Sequence, residues 1–132
     1  AAVESVTIID SDTENNIITL SSVAEHDETL TLSGGRADDT FAINGNVIAT
    51  TVDGRLQKSD VTLDLGAANQ DIDMGSGDDN LYFQTANGFT DDDDVVGGDG
   101  TDVIWAGYTA NTDSDLNVSG VEKINLDANA NL

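Results

Sequence analysis

The sequence has no cysteine and no proline, and only 4 Lys and Arg residues stand against 26 Asp and Glu. The absence of cysteine excludes a disulfide framework and a thiolate metal site, so oxygen atoms are the abundant metal ligands. A formal net charge of -22 excludes binding to nucleic acid or to an anionic membrane by charge alone. No apolar run approaches the roughly 18 residues that a membrane span requires, so we expect no membrane insertion.

The usual residues of catalytic sites are also scarce. His26 is the one histidine, and it lies among acidic residues in the segment EHDE. Without cysteine or a second histidine, an arrangement of nucleophile, base and orienting group cannot be assembled. Adjacent carboxylates such as Asp78 and Asp79 suit cation binding better than glycoside hydrolysis, which needs carboxyl groups at set separations across a sugar. We therefore expect a protein that is not an enzyme.

The hydrophobic share of the chain is small, at 38% of residues with 5% aromatic. The 132 residues are enough for one domain, and because the chain begins with Ala1 we expect a processed product or a piece of something longer. Little apolar surface is available to offset the conformational entropy of folding and the mutual repulsion of the carboxylates. The fold is therefore expected to need another source of stability.

Short apolar runs rich in β-branched residues alternate with glycine and asparagine, a pattern typical of brief strands joined by tight turns. No stretch carries apolar residues at helical spacing over three turns. The sequence predicts a single all-β domain, with N-terminal strands in residues 1–58 and a repeat region with a closing strand in residues 59–132. In the N-terminal part, the segment 44–46 (Asn-Gly-Asn) predicts a tight antiparallel hairpin.

Large apolar residues recur with a period of nine, which indicates strand, turn, strand, turn. The residues in this register are Val23, Leu32 and Phe41, then Leu63, Ile72 and Leu81, then Val95 and Ile104. Between Leu81 and Val95 the spacing is fourteen, so five extra residues are inserted there. An insertion of that size predicts a widened loop.

Residues 97–105, GGDGTDVIW, fit the nonapeptide pattern G-G-x-G-x-D-x-U-x at every specified position, where U is a large apolar residue. Residues 74–82, MGSGDDNLY, match except that Met74 replaces the first glycine. Residues 34–42, GGRADDTFA, match except that Ala37 replaces the third. This pattern is that of calcium-binding β-helix repeats.

Each position of the pattern has a physical role. Glycine allows backbone angles closed to other residues, the aspartate supplies a carboxylate, and the apolar residue points into the core. Because Ca²⁺ takes six to eight oxygen ligands, two turns must stack along one edge to bind it. The second and third copies start 23 residues apart, which is one 18-residue coil plus the five-residue insertion. Asp79 and Asp102 are therefore expected to face a shared ion.

The predicted metal ligands are carboxylates and turn carbonyls. Those of the two stacked turns are Gly75, Gly77, Asp78, Asp79, Gly98, Asp99, Gly100 and Asp102. The first copy adds Gly35, Asp38 and Asp39, which form a separate site or none because this copy lies 40 residues before the second. The acidic run 91–94 is more typical of a solvated loop, although Asp93 or Asp94 could lend one ligand from the widened loop.

The three segments resemble the RTX (repeats-in-toxin) family, whose parallel β-roll stacks such nonapeptides with calcium between successive turns. The tail 119–132 is similar to the closing strand of secreted surface-layer and adhesin-type proteins. The resemblance implies a calcium-stabilised parallel β-roll or β-solenoid that follows an irregular or antiparallel N-terminal β part. It also implies type I secretion from a bacterium and folding in extracellular calcium. Because the copies are few and scattered, we expect roughly one to four ions.

The expected function is that of a secreted or cell-surface calcium-binding module of a bacterial surface-layer, adhesin or matrix protein. Its open sheet edges could pair with copies of itself or with other surface proteins. Two alternatives remain: an accessory domain of a secreted protease or lipase, and an adhesin domain that binds a ligand through calcium. Trp105 and Tyr108 could form a patch for a glycan, but packing over the end of the roll is the favoured interpretation.

Overall fold

The computed structural model describes residues 5–10, 16–19, 29–36, 40–47, 51–65, 69–83, 89–90, 92–106 and 117–126. Twelve β-strands lie in these ranges, and no residue within them is helical. The strands are β1 (Ser5–Asp10), β2 (Asn16–Thr19), β3 (Thr29–Gly34), β4 (Thr40–Val47), β5 (Thr51–Gln57), β6 (Asp60–Leu65), β7 (Asp71–Asp73), β8 (Asn80–Phe83), β9 (Asp94–Val96), β10 (Val103–Ala106), β11 (Asn117–Ser119) and β12 (Lys123–Leu126). The described part of the chain thus contains no helix that could cross a membrane.

The strands form two parallel sheets of six. The first sheet has the order β1-β3-β5-β7-β9-β11, and the second has the order β12-β10-β8-β6-β4-β2. Each neighbouring pair in both sheets is parallel. Because successive strands alternate between the sheets, the chain winds as a solenoid in which each coil gives one strand to each sheet. The predicted all-β parallel solenoid is confirmed.

The core lies between the two sheets and follows the two-residue period of the strands. In β6, for example, Val61, Leu63 and Leu65 are fully buried while the intervening residues are half-buried. Six of the residues predicted from the nine-residue period belong to this core: Leu32, Leu63, Ile72, Leu81, Val95 and Ile104. The core is therefore a stack of apolar side chains, to which a strand contributes as many as three.

Coil length varies although the strand register is kept. Leu63 pairs with Leu81 in the adjacent coil, and Leu81 pairs with Ile104. The corresponding hydrogen bonds between turns span 18 and 23 residues. The five additional residues predicted before β9 are therefore accommodated outside the strands, without a slip in pairing. Loops can change in length because only the strands share the core.

The predicted antiparallel hairpin at 44–46 is wrong. β4 lies in the second sheet between β2 and β6, whereas β5 lies in the first sheet between β3 and β7. The Asn-Gly signal instead falls at an irregularity of register, where Ile43 pairs with Leu63 but Val47 pairs with Leu65. Residues 44–46 of β4 thus lie opposite the single residue Asp64 of β6, and such bulges suit glycine and asparagine. The described N-terminal strands are parallel, as in the rest of the solenoid.

Candidate metal site at the glycine edge

Two glycine-rich turns, residues 74–79 and 97–102, stack on one edge of the solenoid, which we call the glycine edge. Ser76 and Asp99 form a parallel bridge between the turns. The Asp99 N–H donates to the Gly75 carbonyl at 3.1 Å, and the Gly77 N–H donates to the Asp99 carbonyl at 2.9 Å. The second and third motif copies therefore stack in the predicted register. Asp99 contributes backbone to this contact, and its side chain is exposed.

Glycine is required where these turns touch. Gly98 and Gly100 have φ values of +112° and +139°, which L side chains rarely adopt. A Cβ at Gly98 would collide with the carbonyl oxygen of Gly75, and one at Gly100 would collide with that of Gly77. The turns can approach closely because Gly98 and Gly100 lack side chains. Carbonyl oxygens are consequently concentrated between the coils.

Two aspartates are buried at this edge. Asp79 and Asp102 are each 1% exposed. The Val61 N–H donates to Oδ1 of Asp79 at 2.8 Å, and the Asp79 N–H donates to Oδ1 of Asp102 at 2.8 Å. Glu122 continues the series, since its Oε2 accepts from the Asp102 N–H at 2.7 Å. Each acid thus binds the backbone of the preceding coil.

One oxygen of this series has no partner. Oδ2 of Asp102 is buried and accepts no hydrogen bond. It lies 2.6 Å from the point that a Cβ on Gly97 would occupy, and the carbonyl oxygen of Gly120 lies beside the same point. A buried carboxylate oxygen without a hydrogen bond or counter-charge is costly. The glycine edge therefore lacks a hydrogen-bond donor or cation that would offset the burial of this oxygen.

Burial also shifts the titration of these acids. It raises the pKa of Asp79 to about 7, and the nearby Asp102 carboxylate adds to the shift. Burial raises the pKa of Asp102 as well, with further contributions from Glu122 and Asp78. In both cases the charged form is disfavoured because the group is removed from water and lies near other acids. A divalent cation between the turns would reverse this balance.

Asp78 lies next to Asp79, but its carboxylate accepts from the following coil, whereas that of Asp79 accepts from the preceding coil. The Asp78 N–H donates to Oδ1 of Asp60 in the preceding coil at 2.8 Å. Oδ1 of Asp78 in turn accepts from the Thr101 N–H of the following coil at 2.8 Å. Asp78 is exposed, so its carboxylate can also meet solvent. Through their hydrogen bonds, Asp78 and Asp79 thus connect their turn to both the preceding and the following coil.

The other edge of the solenoid holds a third buried acid, Asp93, which is 1% exposed. Its Oδ1 accepts from the Gln70 N–H at 2.8 Å, and its Oδ2 accepts from the Thr90 N–H at 2.7 Å. Burial raises the pKa of Asp93, although these hydrogen bonds oppose the shift. Asp94, which the sequence offered beside Asp93 as a ligand candidate, is exposed at the start of β9. Asp93, not Asp94, is therefore the residue of this loop that enters the turn.

The first motif copy is described only in part. Asp38 and Asp39 lie outside the described residues, so their predicted role as ligands stays a prediction. Gly35 has a φ of +71°, and a Cβ there would lie 2.6 Å from the Ser59 hydroxyl. The side chains of the next coil that face Gly35 are those of Gln57 and Ser59, and the Gln57 amide donates to the Ser59 hydroxyl. No carboxylate from residues 57–59 faces Gly35, unlike the stacked pair at the glycine edge.

The three buried acids and the exposed Glu122 share a spacing that the motif search did not use. Each stands two residues before an apolar residue of the following strand that lies in the core or packs against it. The pairs are Asp79 with Leu81, Asp93 with Val95, Asp102 with Ile104 and Glu122 with Ile124. Glu122 lacks a glycine-rich motif, and Asp93 follows a run of acids that resembles a solvated loop. Position relative to the core would have identified both.

Trp105 and Tyr82 lie on the outer face of the second sheet. Their rings stack with centroids 5.8 Å apart and planes inclined by 7°. Trp105 is 40% exposed, and its Nε1 donates to Oδ1 of Asn80 at 3.2 Å. Nζ of Lys123 lies 5.8 Å from the Trp105 ring centroid. The interpretation that Trp105 packs over the end of the roll is therefore wrong, and Tyr108 lies outside the described residues.

The donor set of the glycine edge consists of two carboxylates and several backbone carbonyls. Within the ranges that the structure describes, no three His, Cys, Asp or Glu side chains gather to hold a metal ion. A cation here would therefore depend on main-chain oxygens, a ligand type that Ca²⁺ accepts and Zn²⁺ disfavours. No protein-family model, curated protein or solved structure matches the chain.

Proposed function

We propose that this protein is an extracellular, calcium-binding structural module of a bacterial surface-layer, adhesin or matrix protein, related to the RTX family. Calcium would bind between the stacked turns of the glycine edge and make the solenoid rigid. The observation that carries this proposal is the buried pair Asp79 and Asp102, with Oδ2 of Asp102 left without a partner. The complete nonapeptide at residues 97–105 supports it independently.

The donor chemistry of the edge fits a hard cation. The residues that would hold the ion are Asp79, Asp102 and the carbonyls of Gly77, Gly98 and Gly100. Their donor atoms are all oxygens, and Ca²⁺ takes six to eight of these in irregular arrangements that Mg²⁺ disfavours. The Gly75 carbonyl already accepts from Asp99, so it is a weaker candidate. When bound, the ion supplies positive charge where the turns concentrate negative charge.

Compensation by protein cations does not occur at this edge in the described residues. The two ion pairs of the described residues lie on the outer face of the first sheet. Both involve Arg55, which contacts Asp53 at 2.7 Å and Asp73 at 3.9 Å. The chain has a net charge of -22. A cation that binds the folded state but not the unfolded state would therefore stabilise the fold. Each such site adds about 2.7 kcal/mol when free calcium is 100 times the dissociation constant.

The proposed calcium binding also supports an extracellular location. Calcium modules outside the cell operate with dissociation constants of about 0.1 to 1 mM, so a site built mainly from carbonyls would be filled there. The chain would leave the cell unfolded by type I secretion and fold when it meets calcium. Association with copies of itself or with other surface proteins, through open sheet edges, belongs to the same proposal.

Chelation tests the proposal directly. In excess chelator we expect the β-sheet circular dichroism signal to be largely lost, and added Ca²⁺ but not Mg²⁺ should restore it. Asp102→Asn keeps an oxygen that can accept from Asp79 but removes the charge, and it should weaken the calcium response. Asp71→Asn, which removes an exposed charge from the outer face, is the matched control. A spectrum and melting curve unchanged by chelator would refute calcium-dependent folding.

Ligand binding by an adhesin domain is the second candidate function, and the exposed Trp105 favours it. A flat aromatic face with Asn80 and Lys123 nearby offers stacking and hydrogen bonds to a neutral sugar. Titration of the calcium-loaded protein with neutral oligosaccharides should then quench or shift the fluorescence of Trp105, the one tryptophan. A signal that does not change at millimolar sugar would remove this candidate and leave calcium binding untouched.

A further inference from the structure

The outer faces of the two sheets differ in charge along the last three described coils. On the first sheet, β7, β9 and β11 present six outward side chains, and three of them are the acids Asp71, Asp73 and Asp94. On the second sheet, β8, β10 and β12 also present six outward side chains, and none of these is an acid. We call these six the aromatic face: Asn80, Tyr82, Val103, Trp105, Lys123 and Asn125.

A face without acids is informative in a chain with 26 acidic residues and a net charge of -22. Two copies of so acidic a protein repel each other wherever acids lie at the contact. The aromatic face carries one charge, the positive charge of Lys123, so two copies can approach each other there with little local repulsion. Few charges and large aromatic side chains are also the composition that distinguishes the centre of a protein–protein interface.

Trp105 is fixed in position within the aromatic face. Its ring stacks on that of Tyr82 with centroids 5.8 Å apart, and Nζ of Lys123 lies 5.8 Å from its centroid. Its Nε1 donates to Oδ1 of Asn80 at 3.2 Å. The side chain is nevertheless 40% exposed. A large aromatic group that is exposed but already ordered is a favourable interface anchor, because little side-chain entropy is lost on binding.

We propose that the aromatic face binds the aromatic face of a second copy of this chain and so forms a symmetric dimer. The inference goes beyond the proposed function, in which copies associate through open sheet edges. It requires the folded solenoid but no ion at the contact, so calcium enters only through folding. Sheets that pack face to face lie about 10 Å apart, a gap that aromatic side chains from both copies fill.

The register of the second sheet makes this contact self-complementary. One row of paired residues crosses the strands in the order Asp64, Tyr82, Trp105 and Asn125. A two-fold axis parallel to the strands and midway between β8 and β10 sets Tyr82 of one copy against Trp105 of the other. The same axis sets Asp64 opposite Asn125. Lys123 stands two residues before Asn125, and its long side chain reaches that Asp64.

The dependence of molar mass on protein concentration tests the inference. In calcium, analytical ultracentrifugation should show the 13.7 kDa chain doubling in mass as the concentration rises. The emission of Trp105, the one tryptophan, should shift to shorter wavelength over the same range because its ring leaves water. Trp105→Lys should weaken dimerisation at least about 30-fold. Leu56→Lys is the matched control, since Leu56 is 71% exposed in β5 of the first sheet, and it should dimerise as the wild type does.

Exchange of two charges tests the position of the axis. Lys123→Asp places an acid near Asp64 of the second copy and should weaken dimerisation about tenfold, because the pair occurs twice in a symmetric dimer. The double variant Lys123→Asp with Asp64→Lys should restore the wild-type affinity. Neither substitution alters a core residue, so this test holds even where Trp105→Lys fails to fold. Circular dichroism in calcium verifies the fold of each variant.

Three results would overturn the inference. The first is a wild-type chain that stays monomeric at millimolar concentration in calcium. The second is a dimer that Trp105→Lys leaves intact, since that dimer forms through another surface such as the sheet edges. The third is a monomer whose Trp105 fluorescence is quenched by a neutral oligosaccharide, which assigns the face to a sugar. None of these results affects the chelation test, so the proposed function stands or falls separately.

Discussion

The two edges of the solenoid bury the same kind of residue in different ways. At the edge opposite the glycines, both oxygens of Asp93 accept backbone hydrogen bonds, from Gln70 and Thr90. At the glycine edge only one oxygen of Asp102 is occupied by the protein. Both oxygens of Asp93 are thus satisfied by its own loop and the neighbouring turn, whereas Oδ2 of Asp102 has no partner and could bind an ion. Burial alone does not identify a metal ligand, and the unsatisfied oxygen is the informative feature.

The largest expected effect is on the pH dependence of stability without calcium. Asp79 has a pKa of about 7 in the folded state against an ordinary value of 3.8. Between these values the unfolded chain ionises first, so metal-free stability should fall as the pH rises from about 4 to about 7, by about 4 kcal/mol. Calcium binds the ionised form, so its stabilising effect should grow over the same range. Urea denaturation from pH 5 to pH 7.5, with calcium and with chelator, measures both trends up to the pH at which the metal-free chain no longer folds, and metal-free stability that rises with pH would contradict this account.

The next effect comes from the glycines. Gly98→Ala places a methyl group against the Gly75 carbonyl at a positive φ and should destabilise the fold by about 3 kcal/mol. It should also weaken calcium binding, because the turns must separate. Gly54→Ala is the matched control, since its nearest neighbour, the Asp73 carbonyl, would be 3.2 Å away and can move slightly. Equal losses of stability in the two variants, measured by thermal denaturation, would disprove the special role of the glycine edge.

Asp93→Asn tests the other edge. Asparagine has one acceptor oxygen where aspartate has two, so the N–H of Gln70 or Thr90 would lose its partner. We expect a loss of about 2 kcal/mol at pH 5, where the metal-free chain is more stable, and this loss should be the same with calcium and with chelator. Asp102→Asn should instead reduce the difference between the two conditions. If Asp93→Asn also removed the calcium response in urea denaturation, the contrast between the edges would be wrong.

The smallest effect is expected on the outer face, where acids contact neither a buried backbone group nor a proposed ion. Asp71 is exposed in β7, beside Asp94 of the neighbouring strand. Asp71→Asn should change the free energy of unfolding by no more than about 0.5 kcal/mol, with a slight gain from reduced repulsion. Its calcium titration should overlay that of the wild type. A large loss of stability would mean that the outer face also depends on its charges.

Much of the glycine edge could be predicted from the sequence. The motif fixes the turn, and the 23-residue separation of its copies places Asp79 beside Asp102 because strand register is kept through a loop insertion. The hairpin at residues 44–46 was mispredicted for the opposite reason. An Asn-Gly pair favours a tight turn locally, but parallel partners on both sides of β4 offer more hydrogen bonds and buried surface than a hairpin.

Two acids outside the motif show what it cannot report, and only Asp93 was predicted from the sequence, as a possible ligand from the widened loop. Glu122 and Asp93 occupy turns without the glycine pattern and share a position two residues before Ile124 and Val95. The position points Asp93 inward because the following strand must turn its apolar residue into the core, whereas Glu122 is exposed. Whether the oxygens of such an acid are satisfied depends on the length of the neighbouring turn, which is a property of the fold and not of the local sequence.

Three acids of the glycine edge form a series of hydrogen bonds that runs in one direction, whereas Asp60 and Asp78 accept from the coil after them. Asp79, Asp102 and Glu122 each accept an N–H from the coil before them, and none of these three bonds runs the other way. Truncating the chain after β11 would strip the acceptor from the Asp102 amide, whereas removing the coils up to Val61 would free an oxygen of Asp79. The two ends of this series are thus chemically unlike: one terminates in a backbone donor and the other in a carboxylate acceptor.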